Sequence, residues 1–399
     1  MLYKNIFFKN NLTKKYKIVF KSKKAYFDLI KEYRNNKIPL FSSFRKDYKL
    51  DFGKKIIQKF KKKKNIVIVG MGGSILGSKA IYSFFRNKIK KNFHFLDNLG
   101  ETNLSKLFSK KLSKTLYIFV SKSGNTIETV SNFFLIKKKS KKDSSFLFVT
   151  EKKKNILYDL AQKLKYEVIE HKNYIGGRYS VLSEVGMLPA ALMNLDINKF
   201  KNFNHLIKDK KFINILLQNT QSLYALSKRN TSNSVILSYD SDLEDLSYWY
   251  QQLVAESLGK KGKGFTPIVS TVPKDHHSLL QLYLDGPKNK FFTILSSKSE
   301  KKFILRNDLF LKDMKFLNGK KLANIVTSQK MALEKSFIRK NIPYRSFNFL
   351  KKNEEELGFI FTFFILETVL LSRLMRVNPF NQPAVESVKI DTKKILLKN

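Results

Sequence analysis

The sequence contains no cysteine and a single tryptophan in 399 residues, and its acids are few: 32 Asp and Glu against 77 Lys and Arg. Without cysteine there is no disulfide framework, no thiol nucleophile and no thiolate zinc site. Long apolar runs are scarce too. The longest, 357–366, is closed by Glu367 and broken again at Arg373, which suits a buried helix better than a membrane span. The first residues, MLYKNIFFKNNLTKKYK, interrupt their apolar positions with Lys and Asn and lack the apolar core of a signal peptide. A soluble, cytoplasmic protein with no membrane partner is the expectation.

What the chain does have is apolar mass and positive charge. Hydrophobic residues make up 43% and aromatics 13%, enough to bury sizeable cores, so a wholly disordered chain is excluded. The length suggests two or three domains. A formal charge of +45 points first to nucleic acid, but a dedicated binder concentrates its basic residues on one face or stripe. Here lysine runs from Lys4 to Lys398 and accompanies an excess of Asn, Ile, Phe and Tyr, the joint bias that A/T-rich codons produce. No specific nucleic-acid partner is therefore expected; non-specific polyanion binding at low salt follows from the charge alone.

Short β-rich runs alternate with helical stretches. The first series lies at 65–70 (NIVIVG), 93–96, 116–122 (LYIFVSK), 145–150 (SFLFVT) and 166–170. These are continuous apolar runs, the pattern of parallel strands covered on both faces. A second series lies at 234–239, 265–271, 291–296 and 344–349, with a helical joint at about 185–230 and a helical segment after Pro379. The fold class expected is α/β: two mostly parallel sheets sandwiched by helices, plus a C-terminal helical segment. The division expected is an N-terminal helical or irregular segment at 1–52, α/β domains at 53–195 and 196–376, and a C-terminal segment at 377–399.

Ligands in such sheets bind beyond the carboxyl ends of the strands, where the unusual residues fall. Gly72-Gly73-Ser74 follows the first strand; its backbone could approach an anion, or it could be only a tight turn. Ser121-Lys122-Ser123-Gly124-Asn125-Thr126 ends the third strand with hydroxyls, a lysine and a helix entry, a cradle for a phosphomonoester or an ordinary N-cap. No acidic pair stands by to hold magnesium. Gly176-Gly177-Arg178 sets one arginine behind a double glycine, in a chain that mostly uses lysine. Gln252 and Glu256 share one helix face, and Glu256 is a candidate proton-transfer base or simply a solvated charge. The pair His276-His277 suits acid/base work or a helix entry better than a metal site. Gln382 and Lys389 lie in the final turn and helix, NPFNQPAVESVK.

In this order the motifs resemble the glucose-6-phosphate isomerase family over about residues 65–390. The resemblance implies two sugar-isomerase (SIS) domains and interconversion of glucose 6-phosphate and fructose 6-phosphate through ring opening and a cis-enediolate, with no metal and no organic cofactor. It implies phosphate and substrate contacts from Gly73, Ser74, Ser121, Lys122, Ser123, Thr126, Gln252 and Gln382. Glu256, of the ES-x-GK motif, would be the base and Arg178, of GGR, would hold the enediolate charge. His277, from H-x-x-x-Q-L, with Lys389 would serve ring opening. A homodimer with His277 donated across its interface is implied as well. His276 stands where the family commonly has glutamine, and Ala384 where it has glycine.

Overall fold

The computed structural model describes residues 1–12, 20–110, 112–298 and 303–398. The stretch 13–19, inside the expected 1–52 unit and overlapping the opening residues 1–17, lies outside the described residues.

Among the described residues, ten strands form two five-stranded sheets. The first contains β2 (Asn65–Gly70), β3 (Asn92–Leu96), β4 (Thr115–Val120), β5 (Ser145–Thr150) and β6 (Glu167–Glu170), in the order β3-β2-β4-β5-β6 and parallel throughout. Every residue of β2 and β4 is buried, which is why these central strands read as unbroken apolar runs. The second sheet contains β7 (Asn233–Ser238), β8 (Thr266–Thr271), β9 (Lys290–Ser297) and β10 (Tyr344–Phe349), with β1 (Ile6–Asn11) at its far edge, in the order β1-β10-β9-β7-β8. All pairs are parallel except β1 with β10.

Strand β1 departs from expectation, since the sequence predicts a helical or irregular N-terminal segment. It is an edge strand with only Ile6 fully buried, so its sequence IFFKNN carries almost no periodic signal. The expected strand 116–122 is also shortened: Ser121 and Lys122 leave the sheet and begin a loop.

The two sheets meet through helices. The Leu76–Phe85 helix of the first half packs along the Glu244–Leu258 helix of the second. Lys79 spans the joint, bonded to Asp97 at 2.6 Å and facing Asp245 at 3.7 Å. The apolar run noted in the sequence is the Glu354–Met375 helix. Asn353 caps its first turn by accepting from Glu356 N at 2.9 Å, and three glutamates favour that positive end. It is long and apolar enough to cross a membrane, yet nearly all of it is inside the protein. Phe359, Phe363 and Phe364 pack against Phe212, Phe347 and Tyr250. A helix apolar on all sides needs such enclosure.

Candidate active site

Two glycine turns interlock beyond the carboxyl ends of β2 and β6. Gly73 lies against Gly177 so closely that a Cβ built on it would sit 2.1 Å from the Gly177 carbonyl carbon. Glycine is the residue that permits this approach of two backbones. Ser180 ties the turns together, donating to the Gly177 carbonyl at 2.7 Å and reaching that of Gly73 at 3.2 Å.

The interlock presents Arg178, whose side chain is 3% exposed. A guanidinium carries five N–H donors, and each has an acceptor here. Nε donates to Ser257 Oγ at 2.9 Å, and Nη1 to Glu256 Oε2 at 2.9 Å and to Gln382 Oε1 at 3.2 Å. Nη2 donates to the carbonyls of Pro379 and, at 3.2 Å, Asn381. Tyr179 reinforces the same junction, with its hydroxyl 2.8 Å from Ser257 Oγ and donating to Pro379 O at 3.0 Å. Arg178 thus joins a turn of the first half, the Glu244–Leu258 helix and the 379–382 turn.

On that helix Gln252 and Glu256 stand one turn apart, as their spacing predicts. Gln252 Nε2 donates to Glu256 Oε1 at 2.7 Å. The Gln252 amide also lies over the first glycine turn: a Cβ on Gly72 would come within 2.6 Å of its Nε2. The Glu256 carboxylate is therefore held on one oxygen by an amide and on the other by a guanidinium, while its side chain remains 30% exposed.

The hydroxyl-rich loop after β4 is adjacent. Ser121 Oγ and Thr126 Oγ1 are 2.8 Å apart, and the Gly124 amide donates to Ser121 Oγ at 3.2 Å. Gly124 adopts φ +66°, and a Cβ there would collide with Asn155 Oδ1, so the turn requires glycine. Asn155 fixes the neighbouring loop, donating to the carbonyls of Glu151 and Lys153 and accepting from Tyr158 N. Thr126 is the N-cap of the Ile127–Lys139 helix, whose free amides favour an anion. Lys122 donates to the Asn173 carbonyl at 2.6 Å, at the foot of the strand-to-turn connection that carries Arg178. Burial, against the pull of Glu151 and with small additions from Lys153 and Arg178, leaves its ammonium below the usual lysine range.

Within one chain, Gly73, Arg178, Gln252, Glu256 and Gln382 form one contact cluster, Ser74 closes the first glycine turn, and Ser121, Lys122, Ser123 and Thr126 form the loop beside it. His277 and Lys389 stand apart. His277 is exposed at the end of the Lys274–His277 turn, whereas His276 accepts or donates at 2.8 Å with Tyr239 and is partly enclosed. Asp275 anchors that turn, accepting from Thr271 N at 2.8 Å and Ser270 Oγ at 2.9 Å. Lys389 is on the exposed Glu386–Leu396 helix and pairs with Glu386 at 2.8 Å. Among the described residues no group of three His, Asp or Glu could hold a metal ion.

Sequence reasoning did not single out Ser257, Tyr179 or Lys260, although each lies in or beside a motif it used. Ser257 and Tyr179 complete the Arg178 junction, and Lys260 bonds the main chain of Glu256. Their signal was adjacency: Tyr179 follows GGR, and Ser257 and Lys260 belong to ES-x-GK.

The chain is similar to known proteins over most of its length. The phosphoglucose isomerase family model matches residues 46–398. Glucose-6-phosphate isomerase of Methanocaldococcus jannaschii is 35% identical over 339 residues, covering 82% of each chain. That of Campylobacter jejuni is 32% identical over 354 residues, covering 84% of this chain and 85% of its own. Among solved structures, a protein of Thermus thermophilus superposes with a TM-score of 0.82 at 24% identity, covering 94% of both chains. A glucose-6-phosphate isomerase of Chlamydia trachomatis superposes with a TM-score of 0.70 at 19% identity, covering 86% of this chain and 71% of its own. The chain belongs to the phosphoglucose isomerase family, the isomerases that interconvert glucose 6-phosphate and fructose 6-phosphate.

Proposed function

We propose that the chain carries out this aldose–ketose isomerisation with Glu256 as the proton-transfer base. The observation that carries the reading is a carboxylate gripped on both oxygens, by Gln252 at 2.7 Å and Arg178 at 2.9 Å, yet still open to a ligand. Such a grip fixes the base in place without closing it off.

The substrate phosphate binds at the loop of Ser121, Lys122, Ser123 and Thr126, beside Gly73 and Ser74. It is a handle remote from the reacting carbons, and its binding energy holds C1 and C2 against the base. Glu256 removes the proton from C2 of the open-chain aldose and the electron pair moves onto the C1 oxygen. A proton passes between the two oxygens, and Glu256 returns its own to C1, leaving the ketose. Arg178 holds the negative charge of the intermediate. Its 3.2 Å bonds to Gln382 and Asn381 are its longest, and an oxyanion displaces those first.

His277 and Lys389 are proposed to open the sugar ring, with His277 supplied by a second copy of the chain. In support, His277 is exposed, and the terminal helix leaves Val388, Ile390, Ile395 and Leu396 more than half exposed. Apolar side chains in that number on one short helix suit an interface between two copies. The division at 53–195 and 196–376 gives each half one side of the site. Sugar phosphates are held inside cells by their charge, and the proposed place of action is the cytoplasm.

The test is Glu256→Gln, assayed for formation of glucose 6-phosphate from fructose 6-phosphate. The expected result is a loss of at least about 10³-fold in kcat with substrate binding retained. Near-normal turnover would remove Glu256 from the role of base.

A further inference from the structure

We propose that Lys260 is a positioning residue for the proton transfer, clamping the main chain under both the base and the serine that holds Arg178. The inference rests on the reading of Glu256 as the base.

A helix leaves its last carbonyls without intrahelical partners, and something must satisfy them. At the end of the Glu244–Leu258 helix the backbone takes only part of that task. Gly259 N donates to Ala255 O at 3.0 Å and Lys260 N to Leu258 O at 2.8 Å. The carbonyls between them, of Glu256 and Ser257, are both taken by the Lys260 ammonium, at 2.5 and 3.0 Å. One cation thus fixes the peptide units of the two residues that grip Arg178 from the helix, Glu256 at Nη1 and Ser257 at Nε. The turn that follows is itself anchored: Lys263 N donates to Lys260 O at 3.0 Å, and Lys263 Nζ to Met375 O at 2.9 Å. The clamp is therefore a built feature of the site, not a loose surface contact.

Among the described residues, the charged groups facing the ammonium are Arg178 and Glu256. Burial, and next Arg178, hold it down to about 8 against the pull of Glu256. Its charge is present below that pH and is lost above it. Deprotonation leaves weaker donors to the two carbonyls and removes a positive charge from beside the base, so turnover falls as pH rises through about 8.

The experiment is a pH series of kcat and KM for fructose 6-phosphate on full-length wild type, Lys260→Met, Lys260→Arg and Glu256→Gln. Lys260→Met is expected to lose about 10- to 100-fold in kcat while KM moves less than about threefold, since the phosphate site is untouched. Lys260→Arg keeps its charge to beyond about pH 12, and is expected to recover kcat to within about threefold and to abolish the decline above pH 8. The proposal is overturned if Lys260→Met keeps the wild-type kcat and pH profile, or if Lys260→Arg declines with pH as wild type does. Should Lys260→Met fail to fold, the pH profile of Lys260→Arg decides alone. Glu256→Gln separates the two readings: if it is inactive while Lys260→Met equals wild type, only the clamp is wrong; if it turns over normally, the base is wrong.

Discussion

Two arginine–glutamate pairs share the Glu244–Leu258 helix, one closed and one open. In the closed pair, Arg345 and Glu367 are 0% and 1% exposed. In the open pair, Arg178 is 3% exposed and Glu256 30%. Both guanidiniums use all five donors: Arg345 reaches Thr293, Asn219, Tyr250 and both oxygens of Glu367. The difference lies in the carboxylates. Glu367 accepts four bonds, from Arg345 twice and from Asn219 and Tyr250, which fills its lone-pair sites. Glu256 accepts two among the described residues, one on each oxygen. A carboxylate with every site filled can only hold structure; one with half its sites filled and solvent in front of it can take a proton. Tyr250 faces the closed pair and Glu256 the open one. They are six residues apart, about 240° around the helix, so one element serves both tasks on different faces.

The same substitution made in both pairs should have opposite effects. Glu367→Gln removes one partner of a fully buried ion pair and strands the Arg345 charge, at a cost of about 3–5 kcal/mol. A thermal unfolding scan should show an apparent Tm lower by roughly 5–15 °C. Glu256→Gln should shift Tm by no more than a few degrees and remove turnover instead. If Glu367→Gln stayed as stable as wild type, or if Glu256→Gln were the less stable of the two, exposure of the carboxylate would not be what separates them.

How much of this could be read from the sequence follows the same division. Strands β2, β4 and β5 were legible because a strand buried on both faces is a continuous apolar run, as in NIVIVG, TLYIFV and SFLFVT. Strand β1 was not, because an edge strand buries little and its partner lies more than 330 residues away. Arg178 and Glu256, which the fold brings into contact, stand in motifs the sequence displays, and Gln382 enters only through the family resemblance. What held them was not legible, since Ser257 meets Tyr179 across 78 residues and the Pro379 carbonyl meets Arg178 across 201. Arg345 and Glu367 carry no motif; in the sequence they are one more cation and a break in an apolar run. Burial, which assigns them their role, is a property of the folded chain.

A second prediction tests the proposal that His277 reaches the site from a second copy of the chain. On that proposal, Glu256→Gln and His277→Ala should each be inactive alone. In a dimer that donates His277 across its interface, a mixed pair contains one site with both residues intact. Unfolding and refolding the two variants together, at equal concentration, should restore about a quarter of wild-type activity by random pairing. Gel filtration run beside the assay checks that dimers have re-formed. Mixed dimers without activity would mean that His277 serves its own chain.

The smallest structural effect is expected at Lys389, the opposite extreme from Arg345. Its ion pair with Glu386 is an i,i+3 contact with both side chains about 60% exposed, and such pairs contribute little to stability. Lys389→Ala should therefore leave Tm within about 1 °C. If its ammonium supports ring opening, the loss should appear in turnover of the closed-ring sugar and not in that of an open-chain substrate already past the step. An order-of-magnitude fall in kcat, with Tm unchanged, would separate a working cation from the many lysines around it. A variant indistinguishable from wild type in both would return Lys389 to the general surface charge, and leave His277 as the sole group for opening the ring.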